Sequence, residues 1–290
     1  MSNFVINVEA PVIQNKSQIK KTRYFHSTDS LELYEKNCNK FGKEWYYYEN
    51  EITYKFNSWG YRTKEFHELD RDYMLTFGCS NTEGIGLNLN DTWTTNLSKT
   101  LNLDLFNLGM GGTGIDFQFY NTTLISDVMI NQNKLPKLVV YQWPNYYRSC
   151  QGFTIDRSKD KPELLVTPYS PQFIVGDSKN EVTNAYYNSF IEGFVNDGGD
   201  LYRQTFMYQI MCNNIWKSLG VPVINWRLED GSKIDGTEFM NLNYEMINIL
   251  DYDDPKIRVW ARDQSHCGIP TQIKIVNTLI NNIKKREIKL

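Results

Sequence analysis

Histidine is scarce in this chain: His26, His67 and His266 are the whole supply. A base that works near neutral pH therefore has few candidates. No apolar run approaches the roughly 20 residues that a membrane-spanning helix needs. The opening "MSNFVINVEA" lacks the apolar centre of a signal peptide, so the expected setting is cytoplasmic or virion-associated, with no membrane partner. The five cysteines, Cys38, Cys79, Cys150, Cys212 and Cys267, are odd in number, scattered, and form no C-x-x-C pair. That pattern argues against a disulfide framework or a zinc site and for reduced thiols. Positive charge is not in excess either. With 31 Lys+Arg against 34 Asp+Glu, the net charge of −3 offers no basic footprint for nucleic acid.

What remains is an ordinary soluble composition, 41% hydrophobic and 22% charged over 290 residues, enough for a sizeable core in one or two domains. Aromatics reach 14%, with 19 Tyr and 7 Trp. Such rings can stack on sugars or build an interface; codon bias, in a composition rich in Asn, Lys, Ile and Tyr, is the preferred account of them.

Residues 1–70 show no clean period and are expected to form an extension packed on the main domain, residues 71–290. From residue 72 strands and helices alternate. "DYMLTFG", "LDLFNLG", "KLVVYQW" and "VPVINW" read as buried strands. "DTWTTNLSKTL", with Asp91 as expected N-cap, residues 115–131, "LYRQTFMYQIMCNNIWKSLG" and residues 270–286 read as helices. Residues 149–199 break the rhythm and read as an insertion of loops with room for a short helix. Alternation of this kind predicts an α/β fold with a mainly parallel sheet covered on both faces. Sites in such sheets form beyond the carboxyl ends of the strands.

Three loops fall at such ends. The first, "TFGCSNTEGIGL", presents Ser80 just past a strand. The second, "GMGGTG", supplies glycines that permit close backbone approach. The third lies in "YQWPNYYR". Near the C-terminus "VWARDQSHCGIP" places Asp263 and His266 three residues apart, a spacing that lets a carboxylate orient an imidazole for a nucleophile. Known rivals fail on spacing. Thr82 stands where a G-x-S-x-G elbow needs its second glycine. The glycine-rich loop has no phosphate-loop lysine and no G-x-G-x-x-G.

Taken in order, these pieces resemble the SGNH (GDSL-type) hydrolase family. "FGCSNTEG" looks like its first block, "NLGMGG" its second, "WPNY" its third and "DQSH" its last; "FNSWGYR" is similar to an N-terminal signature of some viral and bacterial members. Cys79 departs from the family's aspartate, and Trp143 and Tyr146 from the third block's glycine and aspartate. The resemblance implies a three-layer α/β/α sandwich of flavodoxin-like type and a serine esterase that needs no metal or organic cofactor. It makes Ser80, Asp263 and His266 the triad, and Ser80 N–H, Gly112 N–H and Asn145 the oxyanion donors, with Gln142 a rival to Asn145. Arg62, Trp143 and Tyr147 are candidate substrate contacts, with a structural salt bridge for Arg62 and core packing for the two aromatics as the alternatives, while Cys79 is expected to point inward, and His26 and His67 to be surface residues. The implied partner is a small-molecule or glycan ester, such as a sugar O-acetyl ester. A sugar O-acyltransferase on the same site and a non-catalytic virion or surface binding protein are the alternatives.

Overall fold

The computed structural model describes residues 4–6, 12–144, 148–156, 163–169, 199–229, 245–250 and 260–290. The N-terminal part holds β1 (Phe4–Ile6), β2 (Ile13–Asn15), β3 (Thr22–Arg23), α1 (Leu31–Phe41) and β4 (Tyr54–Lys55). The alternating part begins with β5 (Tyr73–Gly78) and the single-turn α2 (Ser80–Glu83), followed by α3 (Trp93–Leu101), β6 (Asp104–Gly109), α4 (Ile115–Asn131) and β7 (Leu138–Gln142). After β8 (Ser149–Asp156) and β9 (Glu163–Tyr169) come α5 (Gly199–Ser218), β10 (Val223–Glu229), β11 (Met246–Leu250) and α6 (Ile269–Lys285).

Five strands form one parallel sheet in the order β11-β10-β7-β5-β6. Counted within the sheet this is 2-1-3-4-5 read from the β6 edge, the doubly wound order of flavodoxin-like folds, and it reverses direction between β5 and β7. β5 and β7 are buried at every residue, which explains their unbroken apolar runs. One face packs Leu75, Phe77, Val139 and Tyr141 against α4 and α5 through Phe117, Ile125, Cys212 and Trp216. The other packs Met74, Val140, Ile224 and Trp226 against α3 and α6 through Trp93, Leu97, Ile275 and Leu279. The result is the expected three-layer sandwich.

The N-terminal part belongs to the same core. Val12, Ile13, Tyr61 and Phe66 are buried within the first cluster. Asn121 on α4 ties them down: its Oδ1 accepts from Ile13 N at 2.7 Å and its Nδ2 donates to Tyr61 Oη at 2.7 Å. Thr63 covers the β6 edge, where its Oγ1 accepts from Asn107 N at 3.1 Å, so that edge is not left as a template for pairing.

Several local expectations need correction. Thr92, not Asp91, caps α3: its side chain accepts from Thr95 N. Residues 149–156 and 163–169, expected as loops, are antiparallel strands that join β1 and β2 in a second sheet of order β2-β1-β9-β8. The short helix envisaged in the insertion and residues 170–198 lie outside the described residues. The helix α1 and the fifth parallel strand β11 were not expected.

Two buried tryptophans test the packing. Trp216 donates its indole N–H to Tyr141 Oη at 2.7 Å, whereas the Trp226 indole N–H has no partner among the described residues. Both lose the same volume on truncation to Phe, but only Trp216→Phe also loses a hydrogen bond. Trp216→Phe is expected to cost about 1 kcal/mol more than Trp226→Phe. Urea unfolding midpoints at unchanged m-value measure this; equal losses, or the reverse order, would refute the hydrogen-bond account.

Candidate active site

Ser80 opens α2 directly after β5, at the carboxyl end of a strand beside the reversal point of the sheet, and is 7% exposed. The turn that presents it is clamped from beneath. Gln142, at the end of β7, accepts on one oxygen from Cys79 N at 3.0 Å, Cys79 Sγ at 3.1 Å and Thr82 Oγ1 at 3.0 Å. Asn107 on β6 donates to Thr82 O at 2.8 Å. A methyl group at Gly78 or Gly109 would collide with Thr82, so α2 sits hard against both strands.

This arrangement fixes what Gln142 does. The Gln142 oxygen is fully engaged by the turn, and its amide nitrogen donates one N–H to Trp143 O at 3.3 Å, so the side chain is held as a brace beneath the Ser80 turn. Asn145 and Tyr147 lie outside the described residues. Cys79 is 3% exposed and its thiol is held by Gln142, although the sulfur still lies 4.0 Å from Ser80 Oγ.

The contact between Asp263 and His266 is local. His266 Nδ1 lies 2.6 Å from Asp263 Oδ2. Asp263 Oδ1 accepts from the backbone N–H groups of Ser265 and His266, each at 3.1 Å, and Thr28 Oγ1 donates to Oδ2 at 2.6 Å. Burial pushes the Asp263 carboxyl up, but His266, Thr28 and Ser265 more than offset it and hold the group below its usual value. The segment carrying the pair packs on the loop after Ser80: Arg262 N donates to Gly86 O at 2.9 Å, and Ile85 N donates to Ser80 O at 3.1 Å. A hydrogen bond from Ser80 to His266 is absent among the described residues. The Ser80 hydroxyl turns toward Cys79 instead, and such contacts commonly tighten only with substrate in place.

Oxyanion donors are N–H groups with no other engagement. Glu83 Oε2 accepts from Gly111 N at 2.5 Å, and Met110 N donates to Gly78 O at 3.0 Å. Ser80 N–H and Gly112 N–H have no acceptor among the described residues. Gly112 takes a left-handed φ of 78° with open space beside its Cα, so the backbone there can be approached closely.

Two residues expected at the substrate are elsewhere. Arg62 is 1% exposed and donates to the carbonyls of Gly84 at 2.7 Å, Leu87 at 2.9 Å and Thr53 at 3.0 Å; a guanidinium satisfies several stacked carbonyls at once, so it braces the loop after Ser80 from behind. Trp143 is 1% exposed, stacks on Tyr141 at 4.5 Å and donates to Asn225 Oδ1 at 2.9 Å, so it is core. His67 is exposed as expected. His26 is not: its Nε2 lies 2.8 Å from Glu83 Oε1, with 11% of its side chain exposed. Burial pushes the Glu83 carboxyl up, but His26, Gly111 N–H and Arg62 outweigh it and hold the group low. Glu83, His26 and Thr28 are the residues that sequence reasoning missed. Only Glu83 left a signal, as an acid three residues past the presented serine.

No family model matches the sequence. No curated protein matches it either. Among solved structures, TesA is 12% identical, with 74% of this chain and 99% of TesA covered at a TM-score of 0.40. A carbohydrate esterase is 12% identical, with 74% of this chain covered at a TM-score of 0.41; the match spans 65% of that protein. An acetyl xylan esterase from the rumen bacterium Butyrivibrio proteoclasticus is 9% identical, with 82% of this chain and 67% of the other covered at a TM-score of 0.39. Likeness of this degree leaves activity to be read from the site. Among the described residues no group of His, Cys, Asp and Glu could hold a metal ion, and no helix is long and apolar enough to cross a membrane.

The buried acids set a pH dependence. The folded-state pKa values of Glu83 and Asp263 lie below the unfolded ones, so each contributes stability that is complete above the unfolded value, about 4, and is lost as pH falls through the folded value. Glu83→Gln should be less stable than the parent by about 1–3 kcal/mol at pH 7. That gap should narrow below about pH 4. Urea unfolding at both pH values measures it; a constant gap would show that the carboxylate charge is not responsible.

Proposed function

We propose that the chain is a serine hydrolase of SGNH type acting on carboxylic esters. The observation that carries this reading is the 2.6 Å contact of His266 Nδ1 with the buried Asp263 carboxylate. Among the described residues it leaves Nε2 unengaged, on a segment packed against the turn that presents Ser80. Ser80 Oγ attacks the ester carbonyl while His266 Nε2 takes its proton. Asp263 holds the tautomer and stabilises the imidazolium. Ser80 N–H, Gly112 N–H and the Asn145 amide receive the developing oxyanion. His266 then protonates the departing alcohol, and water, deprotonated by the same imidazole, cleaves the acyl-enzyme to release the acid and restore Ser80.

A fluorophosphonate should label the chain once, at Ser80, as read by peptide mass spectrometry; Ser80→Ala should take no label. With p-nitrophenyl acetate, His266→Ala should lower kcat by roughly 10²–10⁴. Labelling that persists in Ser80→Ala would transfer the nucleophile elsewhere and end this reading.

Asn145→Ala tests the third donor. It should lower kcat by roughly 10²–10³ with little change in KM, because the bond strengthens as charge develops. An unchanged kcat would leave the oxyanion to the two backbone donors.

A further inference from the structure

A cleft of about 430 Å³ opens beside the proposed oxyanion loop, within the size range of small-molecule sites. Glu83, Met110 and Gly111 form one wall. The turn of Ser27, Asp29 and Ser30 forms another. Ser80, Asp263 and His266 do not line it, but both walls lead to them. A side chain at Gly111 would lie 3.7 Å from Ser80 Cβ, and Thr28, between two lining residues, donates to Asp263. A group held in this cleft therefore lies next to the reacting ester.

The remaining wall is polar and incompletely satisfied. Gln18, 7% exposed, donates from Nε2 to Ser17 Oγ at 3.0 Å, while its Oε1 has no partner among the described residues. Arg23 donates from Nη2 to Ser17 O at 3.1 Å, while its Nε has none. Orphaned buried polar atoms are costly and call for a partner. The charges single out one cation. Glu83 is paired with His26, and Asp29 with Arg262, so among the described residues Arg23 alone lines the cleft as a cation without a carboxylate.

We propose that this cleft is a subsite for the alcohol portion of the ester, and that it selects a hydroxylated ring bearing a carboxylate, a sugar acid, over a neutral sugar. Arg23 is the counter-ion of the carboxylate, and Gln18 lines the cleft where the ring hydroxyls lie. The assignment rests on the esterase reading for what lies next to the cleft, but its test needs no turnover.

Binding of D-glucuronate, D-glucose and inorganic phosphate to the full Ser80→Ala chain, followed by NMR titration, provides that test. A charge-assisted hydrogen bond predicts glucuronate binding about tenfold tighter than glucose or more. Arg23→Gln in the same background should abolish the preference, and Arg23→Lys should restore part of it, which separates charge from a folding defect. Equal binding of the two sugars, no glucuronate binding, or a preference that survives Arg23→Gln would overturn the proposal. So would phosphate matching glucuronate, since the cleft would then read charge alone. Failure of the parent chain to cleave esters would sink the esterase reading and leave the binding result standing.

Discussion

The buried ion pair between Arg262 and Asp29 holds the site together. Arg262 Nη2 lies 2.7 Å from Asp29 Oδ2, and its Nε lies 2.9 Å from Oδ1, with both side chains almost fully enclosed. Asp29 also accepts from Tyr54 Oη at 2.6 Å, and Tyr54 Oη in turn accepts from Gly86 N at 2.8 Å. One chain of hydrogen bonds thus joins the C-terminal loop, the N-terminal segment and the loop after Ser80. A pair of this kind need not out-stabilise an apolar replacement, but removing one partner strands a charge and typically costs about 3–5 kcal/mol. Its consequence here is geometric: Asp263, the next residue after Arg262, can sit in only one place relative to the Ser80 turn.

The same economy recurs at the reversal point of the sheet. Strand order opens a crevice between the ends of β5 and β7, and polar side chains at those ends lock the connecting turns. Gln142 and Asn107 serve as braces because their amides satisfy backbone groups that the sheet leaves unpaired. Glu83 takes up the Gly111 N–H in the same way. Among the described residues, the N–H groups of Ser80 and Gly112 are left without an acceptor.

Electrostatics divides the end of the sheet into two imidazole–carboxylate pairs with different settings. Asp263–His266 lies on the C-terminal loop, three residues apart, while Glu83–His26 spans the N-terminal segment and α2. Each carboxylate stays ionised in spite of burial because hydrogen bonds and a neighbouring imidazole outweigh desolvation. The second pair closes the wall of the cleft and leaves Arg23 as its uncompensated charge.

Local chemistry was enough to read much of this protein from its sequence. The runs of β5, β6, β7 and β10 and the periods of α4 and α6 reflect burial on one face or two, which residue order alone encodes. Asp263 and His266 meet because they are three residues apart in a turn. Ser80 was visible as a polar residue at the end of a buried strand. Contacts between distant segments were not visible. His26 reaches Glu83 across 57 residues, Thr28 reaches Asp263 across 235, and Arg262 reaches Asp29 across 233. Arg62 and Trp143 show the same limit in reverse. An arginine or a tryptophan beside a catalytic block suits a substrate or a core equally well, and only packing decides. The tertiary structure made that choice by burying both: Arg62 gathers the carbonyls of the loop after Ser80, and Trp143 stacks on Tyr141.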